Sequence, residues 1–248
     1  MNYNPYNLSG KRILITGASS GIGRATAIEC AKLGATCIVC GRNEGRLLET
    51  IGMLDGKKHS YVVADVTTDD GRASIATLCG SLDGVVCNAG ISHTAPVQFV
   101  ELEDVERVFA TNTFAPMLLV RELLHYRLIK PKASIIFTSS TDAVNPDAAN
   151  SVYGASKGAL TTYMKGCAKE LAPHRIRANA VHPGMVDTPF TEHLMTTEEE
   201  LERDKLSYPL KRYGRPEEIA WAIIYLLSDA AAWVTGSVLT IDGGCSIR

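Results

Sequence analysis

Arg12-Ile-Leu-Ile-Thr-Gly-Ala-Ser-Ser-Gly-Ile-Gly23 decides the fold. Ile13 to Ile15 are apolar without alternation, as in a strand buried on both faces, and the glycine-spaced turn after them opens a helical pattern reaching about Leu33. The same succession recurs along the chain. Thr36-Cys-Ile-Val-Cys40 precedes a helix from about Glu44 to Met53, and Tyr61-Val-Val-Ala64 a short one near Asp70 to Cys79. Gly84-Val-Val-Cys87 leads to a long helix around Leu102 to Ile129, and Ala133-Ser-Ile-Ile-Phe-Thr138 to one from about Asn150 to Leu171. Arg177-Ala-Asn-Ala-Val181 and Ser237-Val-Leu-Thr240 complete seven strands. Strands separated by helices join by right-handed parallel crossovers, so the pattern predicts an α/β chain. The expectation is a single doubly wound domain over residues 1–248, with a seven-stranded parallel sheet and helices on both faces.

Composition narrows the function by exclusion. Of 248 residues, 25 are Lys or Arg and 27 are Asp or Glu, a formal net charge of −2. Binding to phosphate backbones or anionic lipid needs clustered cations, so neither nucleic acid nor a membrane surface is expected as a partner. The longest apolar run, Ile219 to Leu227, is nine residues, well short of the ~20 needed to cross a bilayer. The first residues lack the pattern of a secretory signal, and the seven cysteines are scattered, which together predict a cytoplasmic, reducing location. Cys37 and Cys40 have C-x-x-C spacing, but three residues apart on a strand they face opposite sides. No His/Cys cluster has metal-ligand spacing, and no metal is predicted.

Gly17, Gly21 and Gly23 form a G-x-x-x-G-x-G turn between strand and helix, where free backbone N–H groups can hold a pyrophosphate. Gly17 permits the tight turn, Gly21 the close approach of backbone to phosphate, and Gly23 the packing of helix on strand. Ser19, Ser20 and Ile22 complete the loop. The second strand ends Cys40-Gly41-Arg42. In dinucleotide folds an acidic residue at this tip holds the ribose 2′-OH of NAD, whereas a nearby Arg accommodates the 2′-phosphate of NADP. Arg42 with no acid at position 41 therefore favours NADP(H), with NAD(H) as the alternative. Asp65, followed by Val66, is open to two roles: capping the next helix or accepting a hydrogen bond from the adenine amino group.

Tyr153-Gly-Ala-Ser-Lys157 sets a phenol and an ammonium on one face of a helix. A fixed positive charge favours phenolate and brings the phenol toward a useful range for moving a proton to or from a carbonyl oxygen. Ser140, thirteen residues before Tyr153, stands at the C-terminal end of a strand, where such sheets present ligands. Ser139 competes for this place, and the spacing to Tyr153 selects Ser140.

These residues, with Asp65-Val66, Asn88-Ala89-Gly90, Asn112, Pro183-Gly184, Thr188 and Asp242-Gly243-Gly244, resemble the short-chain dehydrogenase/reductase family over nearly the whole chain. The resemblance implies a Rossmann fold and interconversion of a ketone and a secondary alcohol by hydride transfer at a nicotinamide cofactor. It implies Tyr153 as general acid/base, with Ser140 orienting the carbonyl and stabilising developing oxyanion charge. Lys157 would bind ribose hydroxyls and lower the Tyr153 pKa, and Asn112 would hold a water between Lys157 and solvent. Asn88, Ala89 and Gly90 would flank the cofactor, while Pro183, Gly184, Val186 and Thr188 would hold its carboxamide side. A homotetramer and a substrate loop over about 188–210 are also implied; an amphipathic lid from Phe190 to Tyr208 would include Leu194, Met195 and Leu201.

The closest general likeness is to 3-oxoacyl-acyl-carrier-protein reductases and related carbonyl reductases, partly through Pro209 to Ile219. Dehydrogenases of a sugar alcohol, steroid or small hydroxy compound are the alternative. A dinucleotide-binding redox sensor without turnover is a reading from another class, disfavoured because both Tyr153 and Lys157 are present. A carrier protein requires a basic patch by the pocket; Arg121, Arg127, Lys130 and Arg175 are candidates, equally readable as solvated helix ends. His93 is readable as bordering the substrate pocket or as a solvated loop residue. Asp142 and Asp147, beside Ser140, are readable as contacts to a polar substrate or as turn caps.

Overall fold

The computed structural model describes residues 3–191 and 197–247. Seven strands, β1 (Arg12–Thr16), β2 (Thr36–Gly41), β3 (Ser60–Val63), β4 (Leu82–Cys87), β5 (Ile129–Thr138), β6 (Arg177–Pro183) and β7 (Val238–Ile241), form one parallel sheet. Their order is β3-β2-β1-β4-β5-β6-β7. The chain winds outward from β1 to β3, then crosses back to β4 and winds the other way. The boundary between β1 and β4 is therefore the switch point, where the C-terminal ends of the strands leave a crevice.

Helices α1 (Gly21–Lys32), α2 (Glu44–Gly52) and α8 (Pro216–Leu227) cover one face. On the other lie α3 (Asp69–Cys79), α5 (Ala115–His125) and α6 (Ser151–Leu171), with α4 (Leu102–Phe109) leading into α5. The unbroken apolar strands serve both layers. Ile13 and Ile15 of β1 enter the α1 side while Leu14 enters the α6 side. Cys37 and Cys40 go to opposite layers in the same way, so their sulfurs do not meet.

The expected single helix from Leu102 to Ile129 is interrupted and shorter. Between α4 and α5 the residues Ala110–Phe114 form a wider π turn. After His125 the backbone at Arg127 is left-handed, with φ 55°, and the Leu128 and Arg127 N–H groups donate to the carbonyls of Leu123 and Leu124. This closure ends the helix and lets Ile129 begin β5, paired with Leu82. Of the expected amphipathic lid, Phe190, Thr191 and residues 197–208 are described; they include α7 (Glu198–Ser207), none of whose side chains is fully buried, and the buried Tyr208. Leu194 and Met195 lie outside the described residues.

One charged cluster ties α3 to α5. Arg72 is only 2% exposed; its Nε donates to Glu122 Oε1 at 3.1 Å and its Nη1 to the Val66 carbonyl at 2.9 Å, while Nη2 meets Asp69. Removing one partner of a buried pair strands the other charge. Glu122→Ala is expected to lower the unfolding free energy by about 3 kcal/mol, and Arg72→Met combined with Glu122→Leu by clearly less. Urea denaturation of the two variants measures both losses.

Candidate active site

The glycine turn is built by close approach. Gly17 has φ +65°, and a Cβ there would lie 2.8 Å from Ala89 Cα; on Gly23 it would lie 2.3 Å from the Gly17 carbonyl. Thr16, at the end of β1, stitches the turn to the β4 loop. Its Oγ1 accepts from the Asn88 and Ala89 N–H groups at 3.0 and 3.2 Å, and Asn88 Nδ2 donates to the Gly17 carbonyl at 3.3 Å. Helix α1 starts after Ser20, whose extended backbone brings no side-chain cap, and its first turn holds no acid. Uncapped first-turn N–H groups at a positive helix end suit an anion.

A cavity of about 530 Å³ runs from this turn along the C-terminal edge of the sheet. Gly17, Ser19, Ser20, Gly21 and Ile22 line its first wall, Arg42, Asp65 and Val66 its end over β2 and β3, and Asn88, Ala89 and Gly90 its floor at the switch point. Ser140, Tyr153 and Lys157 occupy its centre, and Pro183, Gly184, Val186 and Thr188 the wall beyond β6. Of the residues singled out from sequence, Gly23 and Asn112 lie behind the wall. Gly23 supports the turn, and Asn112 fixes the floor: its Oδ1 accepts from Ile91 N–H at 2.9 Å, while its Nδ2 donates to the Ile91 carbonyl and to Ser156 Oγ.

At the β2 tip, Arg42 is 75% exposed in its side chain, with Nη1 3.9 Å from Asp65 Oδ2. Asp65 does not cap α3; that role belongs to Thr68, whose hydroxyl accepts from Gly71 N–H. Instead Asp65 Oδ1 accepts from Thr67 N–H and Oγ1 at 2.9 and 2.7 Å. The Thr67 hydroxyl does most to hold the carboxyl below its ordinary pKa, with Arg42 adding to it.

Lys157 is 3% exposed, and its Nζ donates to the Thr138 carbonyl at 2.8 Å. Burial brings its pKa down to about 8. Its Nζ lies 5.8 Å from the centroid of the Tyr153 ring. The expectation from sequence is a phenol lowered by this ammonium; in the structure burial dominates and pushes Tyr153 well above its ordinary value. A hydrogen bond with the Ser140 hydroxyl opposes this, and the Asp142 charge adds to it. The Ser140 Oγ also accepts from Asp142 N–H at 3.1 Å. Ser139 points the other way, its Oγ donating to the Lys157 carbonyl.

Behind these groups lies a network that sequence reasoning missed. Ser139 Oγ and Thr161 Oγ1 are 2.9 Å apart, and Thr161 Oγ1 is 3.0 Å from His182 Nε2. It joins β5, α6 and β6, whose residues are too far apart in the chain to be linked by spacing. His182 is buried, and burial, then the charges of Lys165 and Lys157, bring its pKa down to about 4. Also missed was Thr138, whose buried Oγ1 at the cavity wall has no partner among the described residues; Phe190, the first residue of the expected lid, sets its ring 6.3 Å from that of Tyr153. His93 fits neither sequence reading: its side chain is 8% exposed, with Nε2 3.2 Å from Asp104 Oδ2, and it is not part of the cavity lining.

A glycine cradle closed to any side chain, an uncapped helix end and an orphaned wall hydroxyl fit a dinucleotide lying along this edge. The chain matches the family model described as enoyl-(acyl carrier protein) reductase over residues 17–246. It belongs to the short-chain dehydrogenase/reductase family of oxidoreductases, enzymes that use NAD(P)(H) on small-molecule substrates. It is 36% identical to a glucose 1-dehydrogenase of Gluconobacter oxydans, covering 98% of this chain and 95% of that one. It is also 36% identical to a 3-oxoacyl-[acyl-carrier-protein] reductase of Thermotoga maritima, covering 97% and 99%. A solved 3-ketoacyl-(acyl-carrier-protein) reductase from Brucella melitensis, complexed with NADH, superposes with TM-score 0.87 at 31% identity, over 97% of this chain and 100% of that one. Among the described residues no helix is long and apolar enough to cross a membrane, and no three His, Cys, Asp or Glu side chains are grouped to hold a metal.

His182 titrates near 6.5 in the unfolded chain and near 4 in the folded one, so the unfolded state binds more protons between these values. Stability from the neutral ring is complete above pH 6.5 and is lost as pH falls toward 4. His182→Asn is expected to remove up to roughly 3 kcal/mol of this acid slope, read as the difference between variant and parent in urea denaturation across pH 4 to 7.

Proposed function

We propose that the protein interconverts a ketone and a secondary alcohol with NADP(H) as its preferred cofactor, NAD(H) being the alternative. The observation that carries this reading is the convergence of Ser140, Tyr153 and Lys157 in one cavity that continues to the uncapped N-terminus of α1. Bound along this edge, the nicotinamide dinucleotide supplies or accepts the hydride.

Tyr153 then acts on the substrate oxygen. Its raised pKa keeps the phenol protonated at neutral pH, the form that donates to a carbonyl becoming an alcohol. Ser140, already bonded to that hydroxyl, orients the carbonyl and stabilises developing negative charge. Once the proton has left, the nearby Lys157 ammonium stabilises the phenolate, and its lowered pKa lets it pass a proton on near neutral pH. Lys157 also holds the nicotinamide ribose hydroxyls, and Asn112 holds a water leading toward solvent. Gly17 through Gly23, Asp65, Val66 and Asn88 to Gly90 are assigned to the adenine and phosphate half, and Pro183, Gly184, Val186 and Thr188 to the carboxamide half. Arg42, with no acid at position 41, supports NADP(H) through its guanidinium; the NADH in the Brucella relative keeps NAD(H) in the test. We further assign residues 1–248 to one domain with its substrate loop at about 188–210, a homotetramer, and a cytoplasmic location. Cys30, Cys37, Cys40, Cys79, Cys87 and Cys167 are buried without forming disulfides, which supports a reducing compartment.

Tyr153→Phe is expected to lower carbonyl reduction by ~100-fold or more while leaving NADPH binding within a few fold, measured by steady-state rates and cofactor fluorescence titration. Retained turnover overturns the assignment of the proton donor, and absence of any Tyr153-dependent turnover favours a redox sensor. Arg42→Ala is expected to weaken NADPH binding roughly tenfold more than NADH binding; equal losses remove the NADP preference.

A further inference from the structure

The two ends of the cavity differ in charge. Arg42 and Arg46 lie toward β2 and β3, whereas the end over β5 to β7 is bordered by Asp142, Asp147 and Asp204. Among the described lining residues at that end no Lys or Arg appears beyond Lys157 itself. Three strand spacings separate β2 from β5, about 14 Å, which exceeds the ~8 Å screening length at physiological salt. The arginines therefore do little to offset these carboxylates.

Asp142 is held as a built part of the wall. Its N–H donates to Ser140 Oγ at 3.1 Å, and Asn150 Nδ2 donates to its Oδ2 at 3.1 Å. Asn150 is itself fixed by Thr94, whose Oγ1 donates to Asn150 Oδ1 at 3.1 Å. The Asp142 carbonyl packs so closely on α6 that a Cβ on Gly154 would lie 2.6 Å from it. Burial first, and then the Asp147 charge, push the Asp142 carboxyl up. Asp204, on α7, accepts from the Tyr213 hydroxyl at 2.5 Å, while Tyr208 stands within the influence of both Asp204 and Asp147. Carboxylates from the segment after β5 and from α7 thus line this end of the cavity. Arg127, Lys130 and Arg175, by contrast, flank the N-terminal ends of β5 and β6, at the opposite edge of the sheet, where they cannot hold a carrier protein at this cavity.

We infer that the substrate is a small, uncharged polyhydroxy ketone or the corresponding polyol, whose hydroxyls beside the reacting carbon donate to Asp142 and Asp147, and that anionic substrates are rejected. Ionised carboxylates only accept hydrogen bonds, so hydroxyl donors are held while a substrate carboxylate or phosphate meets like charge, Lys157 being engaged with the Thr138 carbonyl. This inference rests on the proposed reaction at Tyr153 and assigns the substrate class of the same site.

The test uses two matched pairs with the full-length protein and saturating NADPH or NADH: erythrulose against 2-butanone, and methyl acetoacetate against acetoacetate. The parent enzyme is expected to favour erythrulose and methyl acetoacetate by about tenfold or more in kcat/KM. Asp142→Asn, Asp147→Asn and the double variant are expected to bring both ratios toward unity, the erythrulose loss appearing mainly in KM. Ratios of rates within one variant cancel any general loss of folded enzyme, and the exposed Asp147 allows replacement without disturbing the wall. A parent preference for 2-butanone or acetoacetate, or ratios unchanged within about threefold in the double variant, overturns the inference while leaving the reaction assignment intact. If none of the four ketones is turned over in a Tyr153-dependent way, the reaction assignment fails and this inference with it.

Discussion

The bond from Lys157 Nζ to the Thr138 carbonyl is the contact on which the site's geometry depends. A buried ammonium is expensive, and its cost is reduced by a carbonyl in line at 2.8 Å. That carbonyl terminates β5, so the requirement fixes α6 along its length against the end of that strand. Ser139, the next residue, donates to the Lys157 carbonyl and joins Thr161 and His182, which holds the same helix a second time from β6. Ser140 then follows with its side chain directed into the cavity. Strand end, serine and lysine are therefore coupled: a shift of α6 that moves Tyr153 also strips the buried ammonium of its acceptor.

A second constraint shapes the cavity floor. Pro116, in the first turn of α5, has no N–H, so the carbonyl four residues earlier, that of Asn112, loses its ordinary helical donor. At this point the helix widens into the π turn Ala110–Phe114 rather than continuing as α4. The local change places the Asn112 amide where it engages both backbone groups of Ile91 as well as Ser156 on α6. One proline in the chain thus positions an asparagine that fastens the loop after β4 to the helix carrying Tyr153 and Lys157.

These two constraints mark what could be read from residues alone. Strand cores such as Ile13–Ile15 and Val85–Val86 stand out because burial on both faces leaves an unbroken apolar run, and the glycine turn because only glycine tolerates the approach of Ala89. Ser140, Tyr153 and Lys157 were legible because their separations along the chain match a strand end and a helix face. The start of β5 was not, since Lys130, Pro131 and Lys132 interrupt its apolar pattern before Ala133. The π turn was masked by continuous helical periodicity, although Pro116 was its signal. The Arg72–Glu122 pair and the His182 network join distant residues by burial, which neither period nor spacing encodes. His93 was legible only from its neighbours in sequence, whereas its partner, Asp104, follows from how the loop after β4 closes.

Cofactor choice depends on a balance at the β2 tip that the presence of Arg42 alone does not describe. The Thr67 hydroxyl does most to hold the Asp65 carboxyl below its ordinary pKa, and Asp65 Oδ2 stands 3.9 Å from Arg42 Nη1. An arriving 2′-phosphate meets both an attracting and a repelling charge. The Arg42 side chain is 75% exposed, and such exposed pairs contribute only about 0 to 1 kcal/mol, so the guanidinium can swing toward phosphate at little cost. Asp65 cannot follow, because two hydrogen bonds from Thr67 fix one of its oxygens. In the proposed NADP(H) complex, mobility of the cation against a fixed anion would let this tip accept a phosphate, and the same fixed carboxylate would offer a hydrogen-bond acceptor to a hydroxyl in the NAD(H) alternative.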